Sequence, residues 1–347
     1  VDFRQQLAGN ANRVAFLGTI GFNLSSAIVN LSQIPLMMVP ILGGKYAGVG
    51  SAIGSIGFAS GIITSSGFSR KLSRVDMSKD KVSASGMPSI DNYFEANANG
   101  ELELRKDIDL SKMKKEKREF IENDLKTLVE EASKRGGLNR SLYYDTLAIE
   151  QAGRTRSIWD KANAYSAFSF HQVERYNRQV AMTATYRLEL ARMEKNPTAK
   201  EKKLSLAEKR KLAAKQAIYQ SQEMNGGATL STAPRIAQQG IGRVALMYKS
   251  YGIQMYYTMF KTLDTALKGE TAEVKKAARK QLYGIVLSST LLAGASGLPL
   301  IGSVMMLANL FLDDEEDDAE TILRKHIGEF AYKGPISALF GTDISTR

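Results

Sequence analysis

The chain has 347 residues, 44% hydrophobic and 24% charged, which is ordinary for a globular protein and excludes intrinsic disorder. It contains no cysteine and only two histidines, His171 and His326, which excludes disulfides and thiolate sites, so we expect no metal and no cofactor. The net charge of +11 indicates an anionic partner, either nucleic acid or an acidic lipid surface. Because the chain begins at Val1 rather than Met, we expect a processed product or part of a longer polypeptide.

Residues 1–73 are predicted to form an apolar, glycine-rich helical region. Between Ala15 and Ser69 the only charged residue is Lys45, enough apolar chain for two bilayer-length helices of about 20 residues each. The asparagine, serine and glutamine residues between 14 and 34 favour packing within protein over exposure to lipid. Pro35 and Pro40 predict a helix break. Four glycines in small-xxx-small spacing predict close packing against another helix, namely Gly50, Gly54, Gly57 and Gly61.

A polar excursion or hinge is predicted over 74–110, because the stretch is longer than normal connections within a domain. The alternation from Glu101 to Leu110 predicts a short edge strand within it. A central helical bundle is predicted over 111–269. Its first helix starts near Ser111 and ends at Gly136 and Gly137. One side of that helix is either a solvated face or a phosphate-contacting face, formed by Lys112, Lys114, Lys115, Lys117 and Arg118.

The longest helix is predicted from Ile158 to Glu194, where apolar or small residues recur mostly every three or four positions and no glycine or proline interrupts them. Glu174 and Arg178 stand four apart with Asn177 between them, at the edge of the apolar stripe. The pair is either a solvated ion pair or a desolvated polar node that fixes how other helices dock.

Two more helices are predicted in the second half of the bundle. Residues 195–215 carry eight basic residues against Glu201 and Glu208. Ser205 and Glu208 form a capping-box pattern, which predicts a helix that continues to Met224. Pro234 suits the first turn of the next helix, which ends at Gly269. Its aromatic and methionine stripe is typical of a core face rather than of a base-stacking platform.

The last region, 270–347, is predicted to hold an apolar helical hairpin, an acidic block and a C-terminal docking segment. Residues 281–312 contain no charge and are interrupted between Gly294 and Pro299. Each arm has only about 13 residues, too few to span a bilayer, which favours a buried or re-entrant hairpin. Seven acids between Asp313 and Glu320 keep that end in water or against a basic partner. Four cations precede the hairpin as candidate contacts for lipid or other phosphates, Lys275, Lys276, Arg279 and Lys280.

Three stretches in order resemble a known family: SAIVNLSQIPLMMVPILGG, then HQVERYNRQVAMTATY, then GRVALMYKSYGIQMYYTMFKTL. They are similar to the all-helical domain associated with large polyvalent phage proteins and found in the large internal virion, or ejection, proteins of short-tailed phages. The resemblance covers roughly residues 12–312. The matching positions are Asn30, Gln33 and Pro35; Glu174, Asn177 and Arg178; and Arg243, Tyr248, Lys249 and Tyr251.

Every strongly periodic segment except 101–110 has helical spacing, which predicts an all-α fold, and we expect an elongated multi-helix bundle with long amphipathic helices. The resemblance implies packaging in the virion interior, release through the tail, and assembly with other ejection or core virion proteins into a conduit that carries DNA, without sequence preference, across the host envelope. It also implies a homo-oligomer in the host periplasm, in contact with the inner membrane. It places Glu174 and Arg178 together with a cation, Arg243 or Lys249, in a structural node. No muramidase-type domain is present, so cell-wall cleavage is not implied.

Two other functions stay open at this point. The chain could be the helical accessory portion of a virion-carried enzyme such as an RNA polymerase or nuclease, or an independent pore-forming or scaffold protein. Against an enzyme, the sequence has no glycine-rich phosphate loop, no clustered aspartate pair in an apolar context and no nucleophile beside a base. We therefore expect a non-enzymatic protein without a small-molecule substrate.

Overall fold

A computed structural model describes residues 31–46, 48–68, 88–99, 101–135, 137–138, 168–225, 250–297, 301, 305, 309 and 318–334. This part of the chain is mostly helical with one two-stranded sheet, which confirms the all-α class. The elements are α1 (Val39–Lys45), α2 (Val49–Phe68), β1 (Phe94–Ala96), β2 (Leu102–Leu104), α3 (Lys115–Phe120), α4 (Lys126–Lys134), α5 (Phe168–Lys195), α6 (Leu206–Met224), α7 (Ser250–Lys268), α8 (Ala272–Ala293), α9 (Ala319–Ile327) and α10 (Glu329–Lys333).

The described residues fall into two compact units. The central unit contains residues from 50 to 225, and the terminal unit contains those from 31 to 49 and from 250 to 334. Of the described helices, only the Val49–Ser66 stretch of α2 is long and apolar enough to cross a membrane. This criterion uses length and hydropathy alone, and an ordinary core helix also meets it. In this stretch 44% is buried within the protein.

The central unit is built around α5, whose ten consecutive residues 177–186 are all buried. The sequence predicted burial along a single apolar stripe. The structure differs, because α5 is covered on every side between residues 177 and 186. Helix α6 packs along α5 and also contacts α4. The buried face of α2 contributes Ala52, Ile62 and Ile63 to the core.

The described residues between 88 and 110 are part of the central unit and pack within it, whereas the sequence predicted a polar excursion or hinge over 74–110. Ile90 and Tyr93 are fully buried in a 3₁₀ turn, Ile90–Tyr93. β1 and β2 then form an antiparallel hairpin in which Phe94 pairs with Leu104. β2 lies within the strand predicted from the alternation of residues 101–110. Residues 74–87, the first part of the predicted excursion, lie outside the described residues.

Several predicted helix ends are confirmed. α5 ends at Lys195, α7 at Lys268 before Gly269, and α8 at Ala293 before Gly294. The predicted capping box of α6 is present, because the Ser205 side chain accepts a hydrogen bond from the Glu208 N–H and the Glu208 side chain accepts one from the Ser205 N–H. The predicted helix from Ser111 runs over 115–134 and contains a π-helical turn, Ile121–Leu125. The predicted starts at Ile158 and Pro234 lie outside the described residues.

The predicted break at Pro35 and Pro40 is wrong, because the chain stays helical through both. A π-helical turn, Ile34–Met38, carries Pro35, and Pro40 occupies the first turn of α1. In the π turn the Val39 N–H donates to the Ile34 carbonyl. A π turn and a first helical turn both tolerate a missing N–H, so proline does not end the helix here.

In the terminal unit, α1 and α7 both pack on α8. A Cβ at Gly44 would lie 2.8 Å from the Gln281 Cβ, and one at Gly284 would lie 2.9 Å from the Pro40 Cβ, so both glycines permit the close approach of α1 and α8. The Ser288 hydroxyl donates to the Leu36 carbonyl over 3.3 Å. This packing holds one side of α8 in the core, where Ile285 and Ser289 are buried.

Candidate functional site

The described part of the central unit contains a buried polar cluster around Ser89, which we call the Ser89 cluster (Ser89, Asp91, Arg175 and Gln179). The Ser89 hydroxyl accepts hydrogen bonds from Arg175 Nη2 at 2.6 Å and Gln179 Nε2 at 2.8 Å, and it donates to Asp91. Arg175 Nη2 also lies 3.1 Å from Asp91 Oδ1. The side-chain oxygen Oε1 of Gln179 accepts a hydrogen bond from the Ile90 N–H at 3.0 Å. Two residues one turn apart on α5 therefore fix the 88–91 segment.

The same segment is tied to α2 from its other side. The Ser89 N–H donates to Ser66 Oγ at 2.8 Å, and the Tyr93 hydroxyl donates to the Ile62 carbonyl at 2.7 Å. Burial raises the pKa of Tyr93 above its ordinary value, so this hydroxyl stays a donor across the physiological range. The cluster thus joins α5, α2 and the 3₁₀ turn through bonds shielded from water.

Glu174 and Arg178, the pair predicted from i, i+4 spacing, lie on the same part of α5. Arg178 Nη2 donates to Glu174 Oε1 at 2.7 Å, and each residue is only 7% exposed. Asn177 between them is fully buried. The pair is therefore desolvated and is not a solvated ion pair, while its role in fixing how other helices dock stays a prediction. Arg243 and Lys249, the predicted third partners, lie outside the described residues.

Further along α5, Arg187 connects it to α2 and α3. Its guanidinium carbon lies 4.3 Å from the centre of the Phe58 ring, and it pairs with Glu116. Phe58 packs edge-on against Phe120, with ring centres 5.3 Å apart. Phe120 in turn packs against Tyr186 of α5. This contact combines a cation–π interaction with an aromatic cluster.

At the end of α5, Arg192 binds two carboxylates. Its Nη2 donates to Glu189 Oε1 at 2.8 Å and to Glu201 Oε1 at 2.5 Å, while Glu201 Oε2 accepts the Thr198 N–H at 2.7 Å. The hydrogen bond from Arg192 lowers the pKa of Glu201 to about 2, and the two carboxylates raise the pKa of Arg192. The turn between α5 and α6 is therefore held by a charged clasp.

Arg210 and Asp124 make a further contact between α6 and the π-helical turn, with Arg210 Nε 2.8 Å from Asp124 Oδ1. Burial raises the pKa of Asp124 above its ordinary value, although Arg210 acts in the opposite direction. Burial likewise raises the pKa of Tyr186. These shifts reflect enclosure in the helical core.

The four predicted cations before the apolar arm lie in the first turns of α8. Lys276, Arg279 and Lys280 are exposed and Lys275 is half-buried. On the same side of α8, one and two turns later, Tyr283 is 69% exposed and Leu287 is 43% exposed. The helix therefore presents cations followed by apolar side chains on one exposed face.

The predicted glycine stripe of α2 has few close neighbours among the described residues. Within the described ranges a Cβ at Gly50, Gly54 or Gly57 would meet nothing within 4 Å, so none of the described helices packs closely on these three glycines. These glycines lie on the exposed side of α2, while the core contacts use the opposite side. Gly61 is approached by the Lys117 ammonium group instead of by another helix.

Sequence reasoning missed the Ser89 cluster and the Arg192 clasp. Arg175 and Gln179 show the same i, i+4 spacing as Glu174 and Arg178, so that signal was present. Their partner Ser89 lies in a polar stretch that the sequence places in a connection. No group of three or more histidine, aspartate or glutamate side chains that could hold a metal ion occurs within the described ranges.

Comparison with protein-family models, with curated proteins and with solved structures gives no match for the chain.

Proposed function

We propose that the chain is a structural, non-enzymatic component of a phage DNA-ejection apparatus, packaged in the virion and helping to form a conduit for the genome across the host envelope. The observation that carries the proposal is the position of Glu174, Asn177 and Arg178. These are the central positions of the resemblance, and all three are buried on the core helix α5. Residues enclosed in this way hold helices together and are inaccessible to a substrate.

The finer architecture belongs to the same proposal. It includes an elongated bundle and an apolar helical hairpin over 281–312. The first arm of that hairpin corresponds to the second half of α8, which ends where Gly294 has a φ of 63°. Part of this arm is covered by α1, and its other side presents Tyr283 and Leu287. In the proposal, other ejection proteins or further copies of the chain cover that side in the packaged state.

Contact with the host inner membrane is the second element of the proposal. Lys275, Lys276, Arg279 and Lys280 precede the exposed apolar residues, an order that suits a helix lying at an anionic lipid surface. Each cation near such a surface contributes about 1 kcal/mol of attraction. Liposome flotation tests this element. Binding should favour anionic over neutral vesicles and weaken in K275Q/K276Q/K280Q; equal binding to both vesicles, unchanged by the substitutions, contradicts it.

Virion composition tests the ejection function directly. Mass spectrometry should find the chain in DNA-filled virions and should find it lost from the emptied particles after ejection is triggered. A chain absent from purified virions, or one retained at full amount after DNA release, contradicts the proposal. Co-purification with a polymerase or nuclease activity that depends on the chain would instead support the accessory portion of a virion-carried enzyme.

A further inference from the structure

The connection between α5 and α6 carries a concentration of lysines whose neighbouring acids are already engaged. Between 195 and 215 there are eight basic residues and only two acids. Glu201 is bound by Arg192 and Thr198, and Glu208 closes the capping box with Ser205. Of the eight cations, Arg210 pairs with Asp124. The remaining positive charge in this stretch is therefore not neutralised by the stretch itself.

Six of these lysines are exposed, and we call them the lysine strip: Lys195, Lys200, Lys202, Lys203, Lys211 and Lys215. None of them forms an ion pair with another residue in the described part of the chain. Lys211 and Lys215 stand one turn apart on α6, and Lys202 and Lys203 lie in the 3₁₀ turn before it. Since the Arg192 clasp fixes that turn, the lysines are held on a pre-ordered surface.

Helix stability does not account for this arrangement. Cations close to a helix N-terminus oppose the helix dipole, which favours acids at that end. Lys202 and Lys203 directly precede α6, and Lys209 and Lys211 lie in its first turns. The positive end of the α6 dipole and the charges of the lysines therefore sum to a positive electrostatic potential. This potential destabilises the isolated protein and favours the binding of an anion.

We propose that the lysine strip binds the phosphate backbone of nucleic acid without sequence preference. The inference rests on the proposed function only in taking DNA as the polyanion, and it concerns a surface of the central unit that holds none of the matching positions of the resemblance. Lysine contacts to phosphates supply the sequence-independent part of DNA binding. An array spread over a turn and a helix matches a repeating chain of phosphates.

A lipid headgroup is a poorer fit for the strip than for α8. Next to the strip, the large apolar residues exposed on α6 are separated by polar positions, as with Leu206 and Leu212. On α8 the exposed cations lead into Tyr283, Val286 and Leu287. Membrane-surface helices need an apolar face that enters the acyl boundary, whereas phosphate-backbone contacts need only charge. The two cationic surfaces are therefore assigned different anions.

Fluorescence anisotropy with a labelled random-sequence DNA duplex tests the inference on the whole chain. The test variant is K202Q/K203Q/K211Q/K215Q. We expect its affinity at 50 mM salt to fall by about tenfold or more, and the slope of log K against log salt to become shallower by about 3 to 4, since each phosphate contact contributes about 0.9. The arginine variant K202R/K203R/K211R/K215R keeps the charges and should bind like the unmodified protein.

The matched control is K106Q/K134Q/K268Q/K333Q, which removes the same number of exposed charges from positions outside the lysine strip and outside α8. It should keep DNA affinity within about twofold, because it lowers the net charge as much as the strip variant does but leaves the lysine strip intact. An equal loss in both variants shows that net charge alone is responsible and overturns the inference, as does an unchanged affinity in the strip variant. A strip variant that loses binding to anionic vesicles and keeps its DNA affinity also overturns it.

Circular dichroism of both variants should be unchanged, because the substituted strip residues are exposed. If the fourfold strip variant loses helix content, it is replaced by two double variants, K202Q/K203Q and K211Q/K215Q. Each double variant should show about half of the change in the slope of log K against log salt that is expected of the fourfold variant.

Discussion

Helix α5 of the central unit and helix α8 of the terminal unit are both long, but their surroundings are opposite. α5 is buried on every side between 177 and 186 although it carries Asn177, Gln179 and Thr183 in that stretch. α8 is more apolar in its second half, yet it exposes Tyr283 and Leu287. Burial here does not follow hydrophobicity. Within the described residues, Gln179 is buried with hydrogen-bonding partners in the Ser89 cluster, whereas the Thr183 hydroxyl is buried without one.

The comparison suggests a division of roles. The central unit satisfies many of its polar groups internally, through the Ser89 cluster, the Glu174–Arg178 pair and the Arg192 clasp. The terminal unit leaves apolar side chains on α7 and α8 in contact with solvent, among them Tyr257, Phe260 and Leu267. Exposed apolar groups of this kind are typical of surfaces that meet a partner. We therefore propose that the central unit is the fixed body and that the terminal unit is the part that associates through apolar contacts.

The largest expected effect comes from Arg178→Ala, which leaves Glu174 buried without its ion-pair partner on α5. We expect the free energy of unfolding to fall by about 3–5 kcal/mol, and the double variant E174A/R178A to lose less than the single one. Urea denaturation followed by circular dichroism measures both. The control is Arg105→Ala, which breaks the pair with Asp107, a 56% exposed partner, and should cost at most about 1 kcal/mol. Equal costs at Arg178 and Arg105 contradict a desolvated node.

Two glycines of the terminal unit, Gly294 and Gly328, test how its C-terminal segment packs. Gly294 (φ 63°, ψ −157°) and Gly328 (φ 81°, ψ 155°) both have backbone conformations that favour glycine. A Cβ at Gly294 would lie 2.5 Å from the Ala331 and Tyr332 carbonyl oxygens, whereas one at Gly328 meets nothing within 4 Å. G328A should cost only the backbone strain, about 1–3 kcal/mol.

G294A should cost more than G328A by an amount that reports the docking of residues 331–334. Thermal unfolding of the two variants gives this difference. If both substitutions lower the midpoint equally, the C-terminal segment is not packed on Gly294, and the docking segment predicted from the sequence loses its support.

These two regions also show how far sequence reasoning reaches. The capping box of α6 and the i, i+4 pair on α5 were predictable because both signals are local, being set by residues three and four apart. The Ser89 cluster was not predictable, because it joins residues 86 and 90 positions apart through a segment whose composition suggests a loop. The all-round burial of α5 was missed for a related reason. Periodicity reports which side of a helix is apolar, but it does not report which distant segments pack on the polar sides, as the 88–91 segment does at Gln179.

Ser89→Ala tests the cluster that the sequence did not reveal. The substitution removes the acceptor shared by Arg175 and Gln179 and the donor to Asp91. We expect a loss of about 1–3 kcal/mol in the free energy of unfolding, the usual cost of unsatisfied buried polar groups. Ser111→Ala is the control, because Ser111 makes a similar bond to Asp109 on the exposed surface. A Ser89→Ala protein as stable as Ser111→Ala contradicts the role given to the cluster.

The smallest effect is expected from Glu201→Gln, and it depends on pH. Because the pKa of Glu201 is lowered from 4.5 to about 2, its charged clasp contributes stability that is fully present above about pH 4.5 and is lost as the pH falls towards 2. The difference in melting temperature between the native protein and E201Q should therefore be largest above pH 5 and shrink as the pH falls through this window. A difference that is constant with pH contradicts the clasp.

Hydrogen exchange of the intact chain, measured by mass spectrometry with and without anionic vesicles, tests the contrast between the two units most directly. The amides of α5 between 177 and 186 should exchange slowest, and vesicles should leave them unchanged, because they already lie in a closed core. The amides of α8 between 276 and 287 should exchange faster and gain protection when vesicles are added. If α5 exchanges as fast as α8, or if vesicles protect α5 and leave α8 unchanged, the division into a fixed central unit and an associating terminal unit is wrong.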